Sequence, residues 1–321
     1  MLASLLTPVD TARLLAFVAD ASRAPSVLNT QPWRFRLTEG VVDLFADRDR
    51  QLPALDPAGR ELTLSCGAAL AGLRTAASHD GLDARFELFP DASDPDWLAR
   101  VVFEPAPRPL DDRRLRALRS RRTHRGDFAD EPVAPTALAT LARAAGPDVW
   151  LAVVTTADEK EPIADLVEEA TRALGQHPTR LIDVRAWLRV DGDPRPDGVR
   201  DRDQGEGDRL ATVRTTSAAV GRHKADILRQ APAVLVLGTA DDAPETWLRA
   251  GIALGDLLIA AADLGLAVSY ANEPVEMGGA FRRRLGALVG GAWPQLVLRL
   301  GRPADDPAGR RRPLRDIAEV A

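Results

Sequence analysis

The sequence predicts an α+β protein in which two similar αβ halves, each a mixed or antiparallel sheet flanked by helices, are fused in one chain. The chain has 321 residues, which is enough for two modules of ordinary size. Two apolar helical segments repeat at a constant spacing, and a strand-like segment follows each of them. Apolar residues make up 45% of the chain and charged residues 28%, the balance of a globular protein.

The repeat is seen when Gly67–Leu82 is placed over Gly251–Leu266 without a gap. Eight of the sixteen positions are identical, including a glycine at the start and another near the end. Apolar residues recur at helical spacing in both copies, and the second copy is apolar nearly all round, so it should be buried. Gly81 and Gly265 stand where a helix would end with a left-handed residue. The alternative is two unrelated stretches whose helices are similar by coincidence.

Strands are predicted directly after the two helices, at Ala84–Leu88 and Ala267–Tyr270. Further strands are predicted at 41–46, 100–103, 149–154, 233–238 and 295–300. We place the first half at residues 1–110 and the second half at residues 111–321.

A second, weaker pairing joins the beginnings of the two halves. Leu14–Leu37 and Leu138–Val154 each run from an amphipathic helix to a strand that carries a tryptophan. The later copy is shorter by seven residues between helix and tryptophan. The missing piece corresponds to the loop around Ser26–Gln31 of the first copy.

Composition argues against several classes of protein. The formal charge is −5, and the densest basic runs, Arg113–Arg125 and Arg310–Arg312, are short, so nucleic-acid binding is not expected. Cys66 is the only cysteine and is expected to be a small core residue on its helix. The four histidines lack metal-ligand spacing, so no metal site is expected. The N-terminus has no basic region and no apolar run approaches about 18 residues, so we expect no membrane segment and a cytoplasmic protein.

The segment Val190–Gly207 is dense in aspartate, glycine, proline and arginine. This composition predicts an absence of regular structure. It is typical of a surface loop, and it is also compatible with a lid, because long loops in compact domains often cover binding sites.

The string APSVLNTQPWRF, at Ala24–Phe35, predicts a helix end that leads through a polar loop into a strand. Pro25 stops the helix, and Ser26, Asn29 and Gln31 offer hydrogen-bond donors and acceptors in a row. A planar heteroaromatic ligand needs such edge contacts together with a flat apolar surface, which Trp33 and its neighbour Phe35 could supply. The alternative is a polar connection with a tryptophan in the core.

This string resembles the signature loop of the FMN-dependent nitroreductase superfamily, in which it contacts a flavin bound mainly by the other subunit. Arg121–Phe128, RRTHRGDF, resembles the arginine-rich motif of that superfamily, which grips the FMN phosphate and the pyrimidine edge of the ring. The resemblance implies that Arg121, Arg122 and Thr123 bind phosphate and that Arg125 lies near the ring, where positive charge suits reduction. The alternative is a solvated basic helix end.

Two further strings extend the resemblance. Arg310 and Arg311, in RRRPL, resemble a terminal stretch that folds back onto the phosphate, although such tails are often only solubilising. The string GLAVSYANE contains Tyr270 and ends in Asn272 and Glu273, where the superfamily has a Gly-Gly turn whose backbone N–H faces flavin N5. A backbone donor survives this change, but the larger side chains narrow the space for substrate. His124 and Tyr270 could lie near the ring, and a structural role is the more common one for such residues.

The chain has one copy of each motif, in different halves, so the resemblance implies one composite site and one FMN per chain. The pattern is most similar to the Acg group of actinobacterial nitroreductase-like proteins, which implies a lid at about 185–225. The implied activity is hydride transfer from NAD(P)H through flavin N5 to a small organic acceptor, with no acid–base side chain demanded. The alternative is a protein that sequesters FMN under its lid with little turnover. Partners beyond small molecules are not expected, and a fused pair of halves favours a monomer over a dimer.

Overall fold

The protein was analysed as a computed structural model that describes residues 9–106, 112–190, 192–200, 218–303 and 310–321. The helices are α1 (Thr11–Ala21), α2 (Arg60–His79), α3 (Asp112–Ser120), α4 (Pro135–Ala145), α5 (Ala157–Leu174), α6 (Pro178–Ala186), α7 (Ala218–Gln230), α8 (Pro244–Asp263), α9 (Glu273–Met277) and α10 (Gly279–Val289). The strands are β1 (Trp33–Thr38), β2 (Val41–Ala46), β3 (Leu82–Leu88), β4 (Trp97–Pro105), β5 (Trp150–Val154), β6 (Leu188–Arg189), β7 (Val199–Arg200), β8 (Ala233–Gly238), β9 (Ala267–Tyr270), β10 (Pro294–Gly301) and β11 (Ala318–Val320). Each strand predicted from the sequence is present.

The two main sheets have the same strand order. In the first half the order is β1-β2-β4-β3, and in the second half it is β5-β8-β10-β9, with all neighbours antiparallel. In each half the long helix lies between the second and third of these strands along the chain. This shared topology is what a duplication would produce, and the duplication itself stays a prediction.

The C-terminal strand β11 belongs to the sheet of the first half. It pairs in parallel with β1, with Phe35 opposite Ala318. The chain therefore begins the second half after β4, completes its sheet at β10, and returns to the edge of the first sheet. This return carries residues 310–316 past the polar loop between α1 and β1.

The long helices α2 and α8 pack against each other at the glycines that open the repeat. A Cβ atom on Gly67 would lie 2.2 Å from the carbonyl oxygen of Leu248 and 2.8 Å from the Cα atom of Gly251. A Cβ atom on Gly251 would lie 2.2 Å from the carbonyl oxygen of Leu64. The backbones meet because neither residue has a side chain, so equivalent positions of the repeat face each other at the seam between the halves.

The ends of these helices and the loops between elements agree with the sequence. Gly81 and Gly265 have φ angles of 77° and 70°, in the left-handed region, directly after the C-terminal caps. The polar loop between α1 and β1 covers residues 22–32, whereas the corresponding loop between α4 and β5 covers residues 146–149. The predicted seven-residue difference is confirmed. In the described ranges, no helix has the length and apolar character needed to cross a bilayer.

The prediction that Val190–Gly207 has no regular structure is wrong for its described part. Val199–Arg200 forms β7, which pairs in parallel with β6 so that Leu188 lies opposite Val199. Gly198 permits this pairing, because its φ angle is 74° and a Cβ atom there would lie 2.5 Å from the carbonyl oxygen of Trp187. Residue 191 and residues 201–217, which belong to the predicted lid, lie outside the described residues.

The glycine contact makes a prediction about stability. Alanine ordinarily stabilises a helix relative to glycine by up to about 1 kcal/mol. Gly251→Ala should instead lower the free energy of unfolding by about 1–3 kcal/mol, because the methyl group enters backbone contacts. Urea unfolding of the purified variant would measure the change, and a variant as stable as the wild type would contradict the close approach of the two helices.

Candidate functional site

An open cavity lies at the seam between the two halves. Both long helices contribute to its wall, α2 through Leu64 and Ser65 and α8 through Leu254. The polar loop between α1 and β1 adds Pro25 and Ser26. Polar, charged and aliphatic side chains from both halves also line the wall, among them Glu61, Thr123, Arg125, Val184, Val199, Lys224, Tyr270, Asn272, Glu273, Glu276 and Arg299. The cavity therefore joins the predicted motifs of both halves.

The polar loop takes a left-handed course that turns its side chains in different directions. Leu28, Asn29 and Gln31 have φ angles of 46°, 54° and 52°, and the Ser26 hydroxyl accepts a hydrogen bond of 2.9 Å from the backbone N–H of Gln31. Ser26 faces the cavity, whereas Trp33 is completely buried in the core of the first half. The alternative of a core tryptophan is thus correct, and the flat contact expected from Trp33 and Phe35 is absent from the cavity wall.

Asn29 and Gln31 bind a neighbouring part of the chain and do not line the cavity. The Asn29 amide donates to the carbonyl oxygen of Gly198 at 3.1 Å, and the Gln31 amide donates to that of Pro196 at 3.1 Å. The backbone N–H of Gly198 donates in turn to the carbonyl oxygen of Asn29. These two residues hold residues 192–200, which we call the covering segment, against the polar loop.

Buried ion pairs fix the covering segment. Asp197 accepts hydrogen bonds from Arg189 at 2.9 Å and from Arg50 at 2.9 Å. Burial acts to raise the pKa of Asp197, but the hydrogen bonds from both arginines outweigh it and the pKa is lowered. Val199 at the end of this segment and Val184 on α6 reach the cavity wall. Val199 therefore brings the covering segment to the cavity wall, and the lid itself stays a prediction.

The Arg121–Arg125 stretch runs beside the second sheet. The backbone N–H of His124 donates to the carbonyl oxygen of Val268, so the stretch lies along the edge of β9. Thr123 and Arg125 reach the cavity, whereas Arg122 turns away and its guanidinium donates to the carbonyl oxygen of Arg121. The His124 ring is buried, lies against Phe128 and contacts a backbone carbonyl oxygen, which supports a structural role.

Two guanidinium groups converge at the start of the polar loop. Arg121 and Arg311 both donate to the carbonyl oxygen of Arg23, at 2.7 and 2.8 Å. Their Nε atoms are buried and have no hydrogen-bond partner among the described residues. Burial, and then the positive charges of other arginines, lower the pKa of Arg311 to about 9, and burial lowers the pKa of Arg121 to about 10. Within the described ranges, neither guanidinium is paired with a carboxylate that would offset its charge.

The C-terminal arginines divide between three environments. Arg310 is exposed and does not line the cavity. Arg311 joins Arg121, and its guanidinium also contacts the side-chain oxygen of Asn29 at 3.4 Å. Arg312 binds Gln31, whose side-chain oxygen accepts a hydrogen bond of 2.8 Å from the Arg312 backbone N–H. The fold-back of the C-terminal stretch thus brings Arg311, and not Arg310, to the predicted phosphate position.

The turn after β9 presents backbone donors to the cavity. The Asn272 side chain accepts a hydrogen bond of 2.9 Å from the backbone N–H of Val297 and is held in place. The backbone N–H groups of Asn272 and Glu273 have no acceptor among the described residues, as is usual at the start of a helix. The Tyr270 hydroxyl is also buried without a partner in the described part of the chain, and burial raises its pKa to about 12.

The sequence reasoning missed a group of carboxyl side chains at the cavity. Glu61 in the first turn of α2 and Glu273 and Glu276 on α9 all line the wall, together with Lys224 on α7. Lys224 forms an ion pair with Glu273. The sequence reasoning expected that the chemistry would demand no acid–base side chain, and it did not foresee these carboxyl groups. Glu61 lies far from Glu273 and Glu276 in the sequence, and the available signal was the charged pair of Arg60 and Glu61 at the start of a helix whose later turns are mostly apolar.

Cys66 occupies the core, as predicted. Its side chain is completely buried, and its thiol donates to the carbonyl oxygen of Pro32 at 3.3 Å. Burial raises the pKa of the thiol. Cys66 therefore serves packing beneath the polar loop.

The sequence model of the Nitroreductase family matches residues 118–302. This match covers more than half of the chain, from the arginine-rich stretch to the end of β10. The chain belongs to the nitroreductase family. As a member of this family, it has the nitroreductase-like fold that the motifs predicted.

Relatives of this nitroreductase-family chain match it over nearly its whole length. The protein acg of Mycobacterium tuberculosis is 32% identical over 327 residues, covering 98% of this chain and 97% of the relative. A second nitroreductase relative in the same organism is 34% identical over 312 residues, covering 94% of this chain and 88% of the relative. A nitroreductase with bound FMN from Bacteroides fragilis is similar in structure, with a TM-score of 0.41, 14% identity, and coverage of 64% of this chain and 95% of that chain.

The covering segment of this family member yields a prediction. Because the pKa of Asp197 is lowered by its ion pairs, their stabilisation is present above the ordinary aspartate pKa of about 4 and is lost as pH falls through the lowered value. Asp197→Asn should remove this stabilisation at neutral pH, because Arg189 and Arg50 then lose the carboxylate that they share. Amide hydrogen exchange over residues 192–200 should then become roughly tenfold faster.

The control is Asp165→Asn, which removes an exposed aspartate from a pair with Arg229. This change should leave exchange in the covering segment unaltered, because exposed ion pairs contribute little. Equal exchange in the Asp197→Asn variant and the wild type would show that the covering segment is held by other contacts.

Proposed function

We propose that the chain is an FMN-dependent oxidoreductase that passes hydride from a nicotinamide donor to a small organic acceptor, with one flavin per chain. The observation that carries the proposal is the convergence of Arg121 and Arg311 on one carbonyl oxygen beside the cavity, with buried Nε donors that have no partner in the described residues. Guanidinium groups so placed are suited to a phosphate dianion.

The residues around the cavity fit the remaining parts of FMN. Thr123 adds a hydroxyl donor near the arginines, and Arg125 adds a positive charge on the same stretch. Ser26 and the unpaired Tyr270 hydroxyl offer polar contacts, and the aliphatic side chains of Leu64 and Leu254 offer apolar ones. A flat heteroaromatic ring with polar edges needs both kinds of contact.

The two halves contribute differently to this site. The polar loop with Pro25 and Ser26 comes from the first half, and Thr123, Arg125 and the Asn272 turn come from the second. The loop that would mirror the polar loop, residues 146–149, is too short to repeat its course. We therefore propose a single flavin site at the seam.

When bound, FMN would supply the hydride chemistry through its N5 atom. The chain's own residues would orient it, with Arg121, Arg311 and Thr123 on the phosphate. Arg125 would place positive charge near the ring edge that gains negative charge on reduction. The backbone N–H groups of Asn272 and Glu273 would donate toward N5, since they lie at the cavity without an acceptor among the described residues. The acg relative carries NAD(P)H nitroreductase in its name, which supports the choice of donor.

A second candidate function is FMN sequestration with little turnover. The covering segment favours it, because Asn29, Gln31 and Asp197 hold the segment against the polar loop and Val199 narrows the cavity. Glu273, which stands where the superfamily has a glycine, narrows the cavity further. A nicotinamide could then reach the ring only if this segment moved.

The phosphate assignment predicts loss of flavin from an arginine variant. Arg121→Ala combined with Arg311→Ala removes the two guanidinium groups that converge on the carbonyl oxygen of Arg23, and a charge-assisted hydrogen bond contributes about 2 kcal/mol. If both act on the phosphate, the Kd for FMN should rise roughly a thousandfold. The visible spectrum of the purified protein and titration with FMN would measure this, with about one flavin per wild-type chain.

The matched control replaces Arg283 and Arg284, adjacent exposed arginines on α10, by alanine. This control should retain FMN at the wild-type ratio. Full retention of FMN by the Arg121→Ala, Arg311→Ala protein would rule out the proposed phosphate site.

Anaerobic mixing with NADH or NADPH separates the two functions. An oxidoreductase should lose its flavin absorbance rapidly, because hydride reaches the ring. A sequestering protein should stay yellow with either nucleotide while dithionite still reduces it. Loss of the covering contacts in Asp197→Asn should speed bleaching if the covering segment limits access of the nucleotide.

A further inference from the structure

The cavity has an acidic end that the proposed function does not use. Three carboxyl side chains, those of Glu61, Glu273 and Glu276, line the cavity wall. The cations beside them are Arg60, which donates to Glu61 at 2.8 Å, and Lys224, which pairs with Glu273. Arg180 on α6 also lies close, and its guanidinium donates at 2.9 Å to the backbone carbonyl oxygen of Glu276. In the described part of the chain, no ion pair is formed by Glu276. The buried group therefore holds more negative charges than positive ones.

The surrounding elements do not relieve this excess. Asp56, in the loop before α2, adds a further negative charge near Glu61, although its carboxylate accepts a hydrogen bond from the backbone N–H of Leu62. Arg60 is committed also to β10, where it donates to the backbone and side-chain oxygens of Gln295. Arg299 on β10 and Arg125 line other parts of the same cavity. Among the described residues, no group of acids, histidines or cysteines is arranged to hold a metal ion.

Burial of the unbalanced charge favours protonation. Burial raises the pKa of Glu61 to about 7, against the opposing effect of Arg60 and with the help of Asp56 and Glu273. Burial and then the charges of Glu61 and Glu273 raise the pKa of Glu276 well above its usual value. Two carboxyl groups that influence each other in this way release their protons as a pair.

Two buried oxygen atoms near this acidic end lack hydrogen-bond partners among the described residues, which suits the binding of a ligand. The Glu273 side chain is 8% exposed, and its Oε2 atom has no hydrogen-bond partner among the described residues. The Tyr270 hydroxyl also has no hydrogen-bond partner among the described residues. The pKa of Tyr270 is influenced by Arg121 and Arg125 and also by Glu61, so this residue lies between the arginine end and the acidic end. The Asn272 turn leads directly into the helix that carries Glu276.

We propose that Glu61 and Glu276 hold one proton between them and donate it to the organic acceptor that receives hydride in this cavity. This inference rests on the proposed function. With FMN bound and reduced, a quinone acceptor would receive from it a hydride, which carries two electrons, and would receive a proton from the carboxyl group, which makes a hydroquinone. The carboxyl O–H bond breaks, an O–H bond forms on the acceptor, and the remaining carboxylate regains a proton from solvent.

The repeat supplies a matched control for the test. Glu245 occupies in the first turn of α8 the position that Glu61 occupies in α2, but its side chain is 55% exposed and pairs with Arg249. Glu61→Gln, Glu276→Gln and Glu245→Gln therefore make the same chemical change inside and outside the cavity. All variants are compared as FMN-loaded full-length chains.

The first readout is infrared spectroscopy of the oxidised, FMN-loaded protein at neutral pH. A carbonyl stretch from a protonated carboxyl group that shifts in D2O should be present in the wild type and in Glu245→Gln. The band should be absent from at least one of the two cavity variants, Glu61→Gln and Glu276→Gln. Absence of the band from the wild-type protein overturns the proposal without any variant being needed.

The second readout is the oxidation of the reduced protein by 1,4-benzoquinone, compared with oxidation by ferricyanide, which takes an electron without a proton. The wild-type rate with benzoquinone should fall as pH rises through about 7, because the protonated pair is the donor. In Glu276→Gln the ratio of the benzoquinone rate to the ferricyanide rate should fall roughly a hundredfold and lose its pH dependence. Glu276→Asp should restore part of the rate ratio and part of its pH dependence.

The outcomes separate this inference from the proposed function. A chain that binds no FMN, or whose bound flavin no acceptor oxidises, contradicts the proposed function. A chain that binds FMN and reduces both acceptors, with an unchanged rate ratio and pH profile in Glu61→Gln and Glu276→Gln, overturns the proton-donating pair alone.

Discussion

Contact between the backbones of α2 and α8 at Gly67 and Gly251 brings the two halves together, and the cavity exists because of it. A side chain at either position would collide with a backbone carbonyl group of the opposite helix. The close approach aligns the start of α2, which carries Glu61, with the sheet of the second half. The polar loop of the first half then lies opposite the turn at Asn272. The two walls of the cavity are thus set by one helix–helix contact.

The cavity separates charges of opposite sign. Burial, and then the charges of other arginines, lower the pKa of Arg311, whereas burial raises the pKa of Glu61 against the effect of Arg60 and with that of neighbouring acids. Beyond burial, the pKa of Tyr270 is influenced both by Arg121 and Arg125 and by Glu61. A buried cluster of like charges is costly unless a ligand or a proton compensates it. An anionic group at one end and a proton at the other would offset both costs, which is consistent with a phosphate-bearing cofactor and a protonated acid.

The covering segment shows how one set of residues can serve two purposes. Asn29 and Gln31 belong to the loop that resembles a flavin-contacting motif, yet their side chains bind backbone carbonyl groups of residues 192–200. Asp197 ties the same segment to Arg50. The loop therefore supports a cover over the cavity as well as part of its wall. Turnover and sequestration differ, in this view, in how readily these hydrogen bonds are broken.

Local sequence determined the elements, since hydrophobic periodicity and the helix-ending glycines at 81 and 265 reflect backbone geometry that neighbouring residues dictate. The resemblance of the polar loop and the arginine stretch predicted which segments would meet, and the cavity confirms that they do. Which side chains face the ligand was decided only by tertiary structure. Arg311 rather than Arg310 approaches Arg121 because β11 fixes the returning chain, and Glu276 lines the same cavity as Glu61 because distant helices pack together. Such contacts depend on orientation and burial across the whole fold, which no local pattern in the sequence encodes.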